Sequence, residues 1–390
     1  MKLSYNHTLY ASYLGYITQA IVNNFAPLLF LTFSRQFGLT LDRIALITTV
    51  NFAVQLLVDL ISAKFVDRIG YRVCIVAAHL FSACGLAALA VAPYAFGYGG
   101  ILLSVVLYAV GGGLIEVMIS PIVEACPTRR KEAAMSLLHS FYCWGHVAVI
   151  LICTLFFRLA GIENWRYLSC LLALVPLLNG VYFMAVPIYP ITKDGRPSSL
   201  RSLFRQRAFW VLLLLMVCAG ASEQAMSQWA SAFAESALRI PKAVGDLLGP
   251  CAFAVTMGAA RTLYGSNAIR LPLRKAMTVS AVLCICAYLL AALSGNPVPA
   301  LIGCAICGFS VGIFWPGTFS IAALRLPSAG TAMYAFLALA GDVGCSCGPT
   351  LVGFIANACD GNLRAGLLAA LVFPVTIFLG IRALKEQREA

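Results

Sequence analysis

Long apolar runs alternate with short polar breaks along the whole chain, at 9–33, 43–66, 73–92, 99–124, 133–157, 166–188, 209–235, 244–265, 274–294, 298–323, 331–356 and 363–384. A bilayer core ~30 Å thick takes about 20 apolar residues per helix, and each run reaches that length. Lipid offers no partner to an unpaired backbone group, so the runs are predicted to be helices; they are too long for barrel strands. One such run could be a buried helix of a soluble protein, but twelve in series exclude that. The pattern predicts an all-α polytopic membrane protein with twelve transmembrane helices in two six-helix bundles, 1–188 and 209–390. The most basic stretch of the chain, Pro190 to Arg207, falls in the linker 189–208 that separates them.

Sliding the chain against itself by about 200 positions brings the two sets of six into register, as parallel transporter repeats do. Asn23 then falls on Glu223, and Gly112 on Gly312. Few residues coincide, so the repeat lies mainly in hydropathy and topology.

Composition agrees with a membrane protein: 61% of residues are hydrophobic, 11% are charged, and mean hydropathy is +0.89. A net charge of +12 would suggest nucleic acid in a soluble chain. Here most of the 27 Lys and Arg fall on one side of the predicted spans. That bias places both termini in the cytoplasm by the positive-inside rule and removes the case for nucleic acid. The expected location is the cytoplasmic (inner) membrane, with lipid around a monomer. The fifteen cysteines sit mostly within apolar runs, where a thiol packs as a small hydrophobe. Cys345 and Cys347 form a C-x-C without the second pair that zinc wants, so no metal or cofactor is expected. No nucleotide-binding loop and no nucleophile motif is present, which argues against an enzyme and against ATP-driven transport.

The loop after span two reads VDRIGYR. Gly70 permits a tight turn between helices, while the charges can pair with each other and with a helix end. It also reads as a plain positive-inside loop. Asp67, Arg68, Gly70 and Arg72 match the signature loop of the major facilitator superfamily, which this loop resembles. Ala63 and Tyr71 depart from that pattern. Further segments are GGGLIEVMISPIVEACP in span four, LLHSFYCWGH in span five, SEQAMSQW in span seven and GDVGCSCGP in span eleven. Together they resemble the fucose permease branch of that superfamily, whose better-known members are sugar–proton symporters. The resemblance implies two halves around a central substrate site near the midplane, with a role for the loop in gating. It also implies proton coupling through acids in spans one and four. Glu116 matches the span-four acid, whereas span one offers only Gln19, Asn23 and Asn24. Span five lacks the glycine–proline pattern typical of drug–proton antiporters, having only Gly145. A related set in span eleven, Gly344, Gly348, Pro349 and Gly353, reads as close packing with a kink.

Ionisable groups at lipid depth cost ~2.5–3.5 kcal/mol on insertion scales, so each needs an account. Glu116 follows three glycines that let a partner or substrate approach, and Pro121 is expected to kink the helix just beyond. It reads as a substrate or proton group, or as a buried structural hydrogen bond. His139 and His146 are seven residues apart on one helical face with Tyr142 and Cys143; a proton relay and plain hydrogen bonding are both open. Tyr16, Gln19 and Asn23 form a polar stripe on span one, which lines a cavity or bonds neighbouring helices. Glu223, beside Gln224 and Gln228, has the donors and acceptors that sugar hydroxyls need. Asp342 is a pocket acid or a latch. Trp144, Trp229 and Trp315 are candidates for stacking on a ligand ring, and a broken helix near Pro316 would bare backbone. Trp165 and Trp210, near span ends, read as interface anchors, and His79 reads as structural.

These residues describe a secondary transporter that moves a small polar solute, most simply a sugar, by alternating access with proton symport. A drug or metabolite exporter working by proton antiport, and an uncoupled facilitator, stay open.

Overall fold

The computed structural model describes residues 3–128, 131–189, 203–265, 272–326 and 330–384. The side chains of Asp67 and Arg68, two of the four loop residues singled out above, lie outside the described residues. So do 190–202, which make up most of the basic linker.

Twelve helical stretches are long and apolar enough to cross a membrane. They are α1 (Tyr5–Phe37), α2 (Leu41–Ser62), α3 (Tyr71–Leu89), α4 (Ala92–Val123), α5 (Leu137–Ala160) and α6 (Ile162–Ala185), then α7 (Arg207–Ala237), α8 (Lys242–Tyr264), α9 (Leu273–Leu293), α10 (Pro297–Ala322), α11 (Phe336–Ala358) and α12 (Leu363–Ala383). Glycine in a left-handed or open conformation ends two of the early helices. Gly38 closes α1 at φ 63°, and Gly70 separates the helix containing α2 from α3 at φ 98°, values that cost glycine little. In α4 the backbone dihedrals stay helical through Pro121. The break falls instead at Gly97, with φ 54° and ψ −131°. A proline kink needs no such break, since it comes from the missing N–H and the ring's clash with the preceding turn. The break expected near Pro316 lies at Gly312 and Ile313, where α10 interrupts its helical bonding just ahead of Trp315.

The chain divides into two compact units, one of Met1–Lys193 with Lys242–Leu247, the other of Asp194–Pro241 with Leu248–Ala390. Within the first, Gly111, Gly112 and Gly113 let α4 touch three helices at one level. A Cβ on Gly111 would overlap Ser82 and the Ala78 carbonyl of α3. On Gly112 it would come within 3.0 Å of Gln19 in α1, and on Gly113 within 3.0 Å of the Gln55 backbone in α2. Small residues serve this purpose in membranes, where close van der Waals contact replaces hydrophobic driving force. In the second unit Gly312 packs likewise against α8, with its Cβ position 2.8 Å from that of Ala260.

His79 is buried in the first unit and ties three helices. The Ile75 carbonyl can only accept, so Nδ1–H donates to it at 2.8 Å. Nε2 is then left to accept from Asn179 of α6 at 2.8 Å. The same amide group donates to the Ala11 carbonyl of α1 at 3.0 Å. A buried polar group satisfied in this way costs little and fixes the relative rotation of its helices. The start of the unit also meets its end, where the Thr8 hydroxyl donates to the Pro187 carbonyl at 2.5 Å.

The internal repeat carries a specific side-chain contact. Arg72, at the start of α3, donates from Nη1 to the carbonyls of Phe183 and Met184 at the end of α6, at 2.9 and 2.8 Å. Arg274, at the start of α9, donates to the carbonyls of Ile381 and Arg382 at the end of α12, at 3.1 and 3.4 Å. Each arginine satisfies carbonyls that a helix end leaves open and sets a positive charge at the negative end of its dipole. Arg72→Ala and Arg274→Ala are each expected to cost about 1.5 kcal/mol, the low end for bonds from a charged donor. A thermal melt of the purified protein in detergent reads the loss. An unchanged melting temperature in both variants would remove the capping role.

Candidate functional site

In the first unit the polar stripe of α1 faces α2 and α4 and is hydrogen-bonded along its length. The Asn51 amide donates to Asn23 Oδ1 at 3.0 Å, and the Gln55 amide donates to the same oxygen at 2.8 Å. Gln19 Nε2 donates to Gln55 Oε1 at 2.8 Å and to Glu116 Oε2 at 3.0 Å. A continuous chain thus runs Asn51, Asn23, Gln55, Gln19, Glu116, through residues that are buried or nearly so. Below it, the Tyr16 hydroxyl pairs with Ser120 at 3.3 Å, and the Tyr16 ring lies 5.4 Å from that of His139. The triple glycine of α4 makes this possible, because it lets Gln19 and Gln55 approach the helix that carries Glu116.

Two acceptors of the amide chain are left over. Gln19 Oε1 and Asn51 Oδ1 are buried and receive no hydrogen bond. A buried acceptor left unmade costs about 1–3 kcal/mol. Asn51 and Gln55 were not among the residues read from sequence. Their signal was present, as two amides four residues apart on one face of an otherwise apolar run.

The remaining predicted positions of this unit are spread around the cluster. Asn24 is buried but bonds its own helix, donating to the Ala20 carbonyl at 2.9 Å. His139 is exposed, Tyr142 half-buried and His146 buried, so the predicted face of α5 runs from open surface into the interior. Trp144 is 56% exposed. Trp165, read as an interface anchor, is instead fully buried, and its indole N–H donates to Gln36 at 3.0 Å. The amide of Gln36 supplies the polar partner that headgroups would otherwise provide. Trp210 does lie 55% exposed near the start of α7.

In the second unit Glu223 is buried in mid-α7 and pairs with Arg261 of α8, Nη2 to Oε2 at 3.2 Å. Gln224 donates to the other carboxylate oxygen at 3.5 Å, and Gln228 donates to Gln224 at 2.9 Å. Arg261 lies near the end of α8 and turns to the carboxylate. Asp342 is buried one position beyond Gly341, whose bare Cα seats the Trp315 ring. Trp229 is fully buried and donates to the Pro349 carbonyl at 3.0 Å, which is a packing role. Among the described residues no group of three His, Cys, Asp or Glu is placed to hold a metal ion.

The solved structure of the nucleoside transporter NupG superposes with a TM-score of 0.74 at 14% identity, covering 98% of this chain and 99% of that one. The E. coli fucose:proton symporter FucP gives 0.66 at 17% identity, over 98% and 99%. A bacterial homolog of the human lysosomal transporter Spinster, in an inward-facing and occupied conformation, gives 0.76 at 16% identity, over 98% and 97%. At these identities the likeness is one of fold. No curated protein matches the chain by sequence. The model of the Major Facilitator Superfamily, however, matches residues 12–385. With nearly the whole chain inside that match, and twelve membrane-length helices in two compact units, the chain belongs to the Major Facilitator Superfamily.

Proposed function

We propose that this membrane transporter carries a small hydroxyl-bearing solute, a sugar or sugar-like metabolite, by proton symport and alternating access. Its setting is the cytoplasmic membrane, with both termini on the cytoplasmic side. The observation that carries this reading is the chain of buried amides ending on Glu116. Sugar hydroxyls donate as well as accept, so they match side chains that offer both an amide N–H and an amide oxygen. Two of the proteins with this fold carry names in keeping with it, a fucose:proton symporter and a nucleoside transporter.

Glu116 is the proton group of the proposal. As a carboxylate it accepts from Gln19 Nε2. Once protonated it becomes a donor, and the same glutamine offers an unbonded oxygen. One side chain can therefore serve both states by rotating its amide. Protonation also removes a charge from the interior, which eases reorientation of the empty carrier. Gln19, Asn23, Asn51 and Gln55 hold the solute, and His139 and Tyr16 connect the cluster to open surface.

The test is uptake by purified protein in liposomes, with a panel of radiolabelled sugars and nucleosides and an imposed pH gradient, acidic on the outside. Uptake of a neutral sugar driven by the gradient is the expected result. Equal uptake with and without the gradient leaves an uncoupled facilitator, and preference for cationic aromatic compounds leaves an exporter.

A further inference from the structure

Two carboxylates lie in the polar clusters of the two units, and their surroundings differ in one respect. Glu116 accepts from the Gln19 amide, with Tyr16 and Ser120 nearby bonded to each other and His139 beyond Tyr16. Among the described residues no Lys, Arg or His is bonded to it. Glu223 has a cation. The Arg261 guanidinium lies 3.2 Å from Oε2, with the carboxylate 8% and the arginine 27% exposed. Gln224 donates to Oε1. Of the other titratable groups around this part of α7, the thiol of Cys307 in α10 interacts with Glu223, Tyr288 of α9 donates from its hydroxyl to the Ser222 carbonyl at 2.8 Å, and the buried Asp342 lies on α11, which packs against α7. Both oxygens of Glu223 are thus taken by donors, one of them charged.

We infer that Arg261 is a positioning residue that holds Glu223 as a carboxylate, so that of the two glutamates Glu116 carries the proton and Glu223 stays a fixed acceptor for solute hydroxyls. This rests on the proposed transport function and extends it to the cluster of the second unit. The physical argument is that two acids placed in unlike environments divide their roles. A carboxylate paired at hydrogen-bond distance with a guanidinium has its charge compensated in place. Without that cation a buried carboxylate is resolved by taking up a proton. Removing Arg261 should therefore turn Glu223 into a proton-binding acid, which it is not in the native protein.

The test is infrared difference spectroscopy of the purified full-length protein through a pH titration, following the carbonyl stretch of protonated carboxyls. The native protein is expected to show a titrating buried band that disappears in Glu116→Gln and persists in Glu223→Gln. Arg261→Gln should add a second band, which Arg261→Gln combined with Glu223→Gln removes and Arg261→Lys does not produce. Loss of the native band in Glu223→Gln overturns the inference, and so does an Arg261→Gln variant with no new band. If Arg261→Gln does not fold, the Glu223→Gln spectrum decides alone. The readout needs no transport. A protein with these spectra but no proton-driven uptake would refute the symport reading while keeping the role of Arg261.

Discussion

Glu116→Gln is expected to abolish uphill accumulation while leaving exchange of solute across the membrane intact. A gradient of one pH unit is worth about 1.4 kcal/mol per proton, which sets a ceiling near tenfold accumulation for one-proton symport. In the variant the ratio should fall to one. Glutamine keeps the shape of the side chain, and its oxygen can still accept from Gln19 Nε2, now 3.0 Å from the carboxylate. Solute binding therefore survives, but no proton can be taken up or released at that position. Counterflow in liposomes preloaded with unlabelled sugar measures the exchange arm, and gradient-driven uptake measures the other. Accumulation equal to that of the native protein would exclude Glu116 as the proton group. Loss of both arms would make it a structural or binding residue.

The second large effect concerns packing. Helices α7 and α11 meet backbone to backbone. A Cβ on Gly344 would overlap the Val217 carbonyl, one on Gly348 the Ala221 carbonyl, and one on Gly220 the Gly341 carbonyl. Backbone cannot swing aside as a flexible side chain can, so Gly344→Val forces the helices apart. Overpacking of this kind costs about 1–3 kcal/mol in well-packed cores and more where backbone is displaced. The expected outcome is little or no monodisperse protein on size-exclusion chromatography and a lowered melting temperature. Gly99→Ala is the control. That glycine is helical with open space around its Cβ position, and alanine there should hold or raise stability. If Gly344→Val melts like the native protein, the close α7–α11 contact is wrong.

Much of the architecture was legible because the bilayer imposes a length on each span and leaves the backbone no choice but helix. The small residues that decide packing were legible too. The triple glycine of α4 and the Gly344–Gly348 pair in α11 do bring helices into contact. The site was legible only in part. Tyr16, Gln19 and Asn23 could be grouped from their spacing, since positions three and four apart share a helix face. Which helix that face meets depends on rotation and tilt, and these are set by packing across the whole unit. For that reason Asn51 and Gln55 went unrecognised as the partners of the stripe. Arg261 was obscured for another reason. Near a span end, a charge that serves topology and a charge that reaches back along its helix look alike in one dimension. Trp165 shows the same limit, since the polar partner that lets it go inside, Gln36, is distant in sequence.

The hydrogen bond from Thr8 to Pro187 has a consequence for how such a chain can be rebuilt. The start of α1 and the segment after α6 lie side by side, so the leading half begins and ends at one place on its own surface. The same adjacency makes that half a candidate for circular permutation. Its original ends could be rejoined by a few residues and new ends opened at a surface turn such as Gly38, without unthreading any helix from the membrane.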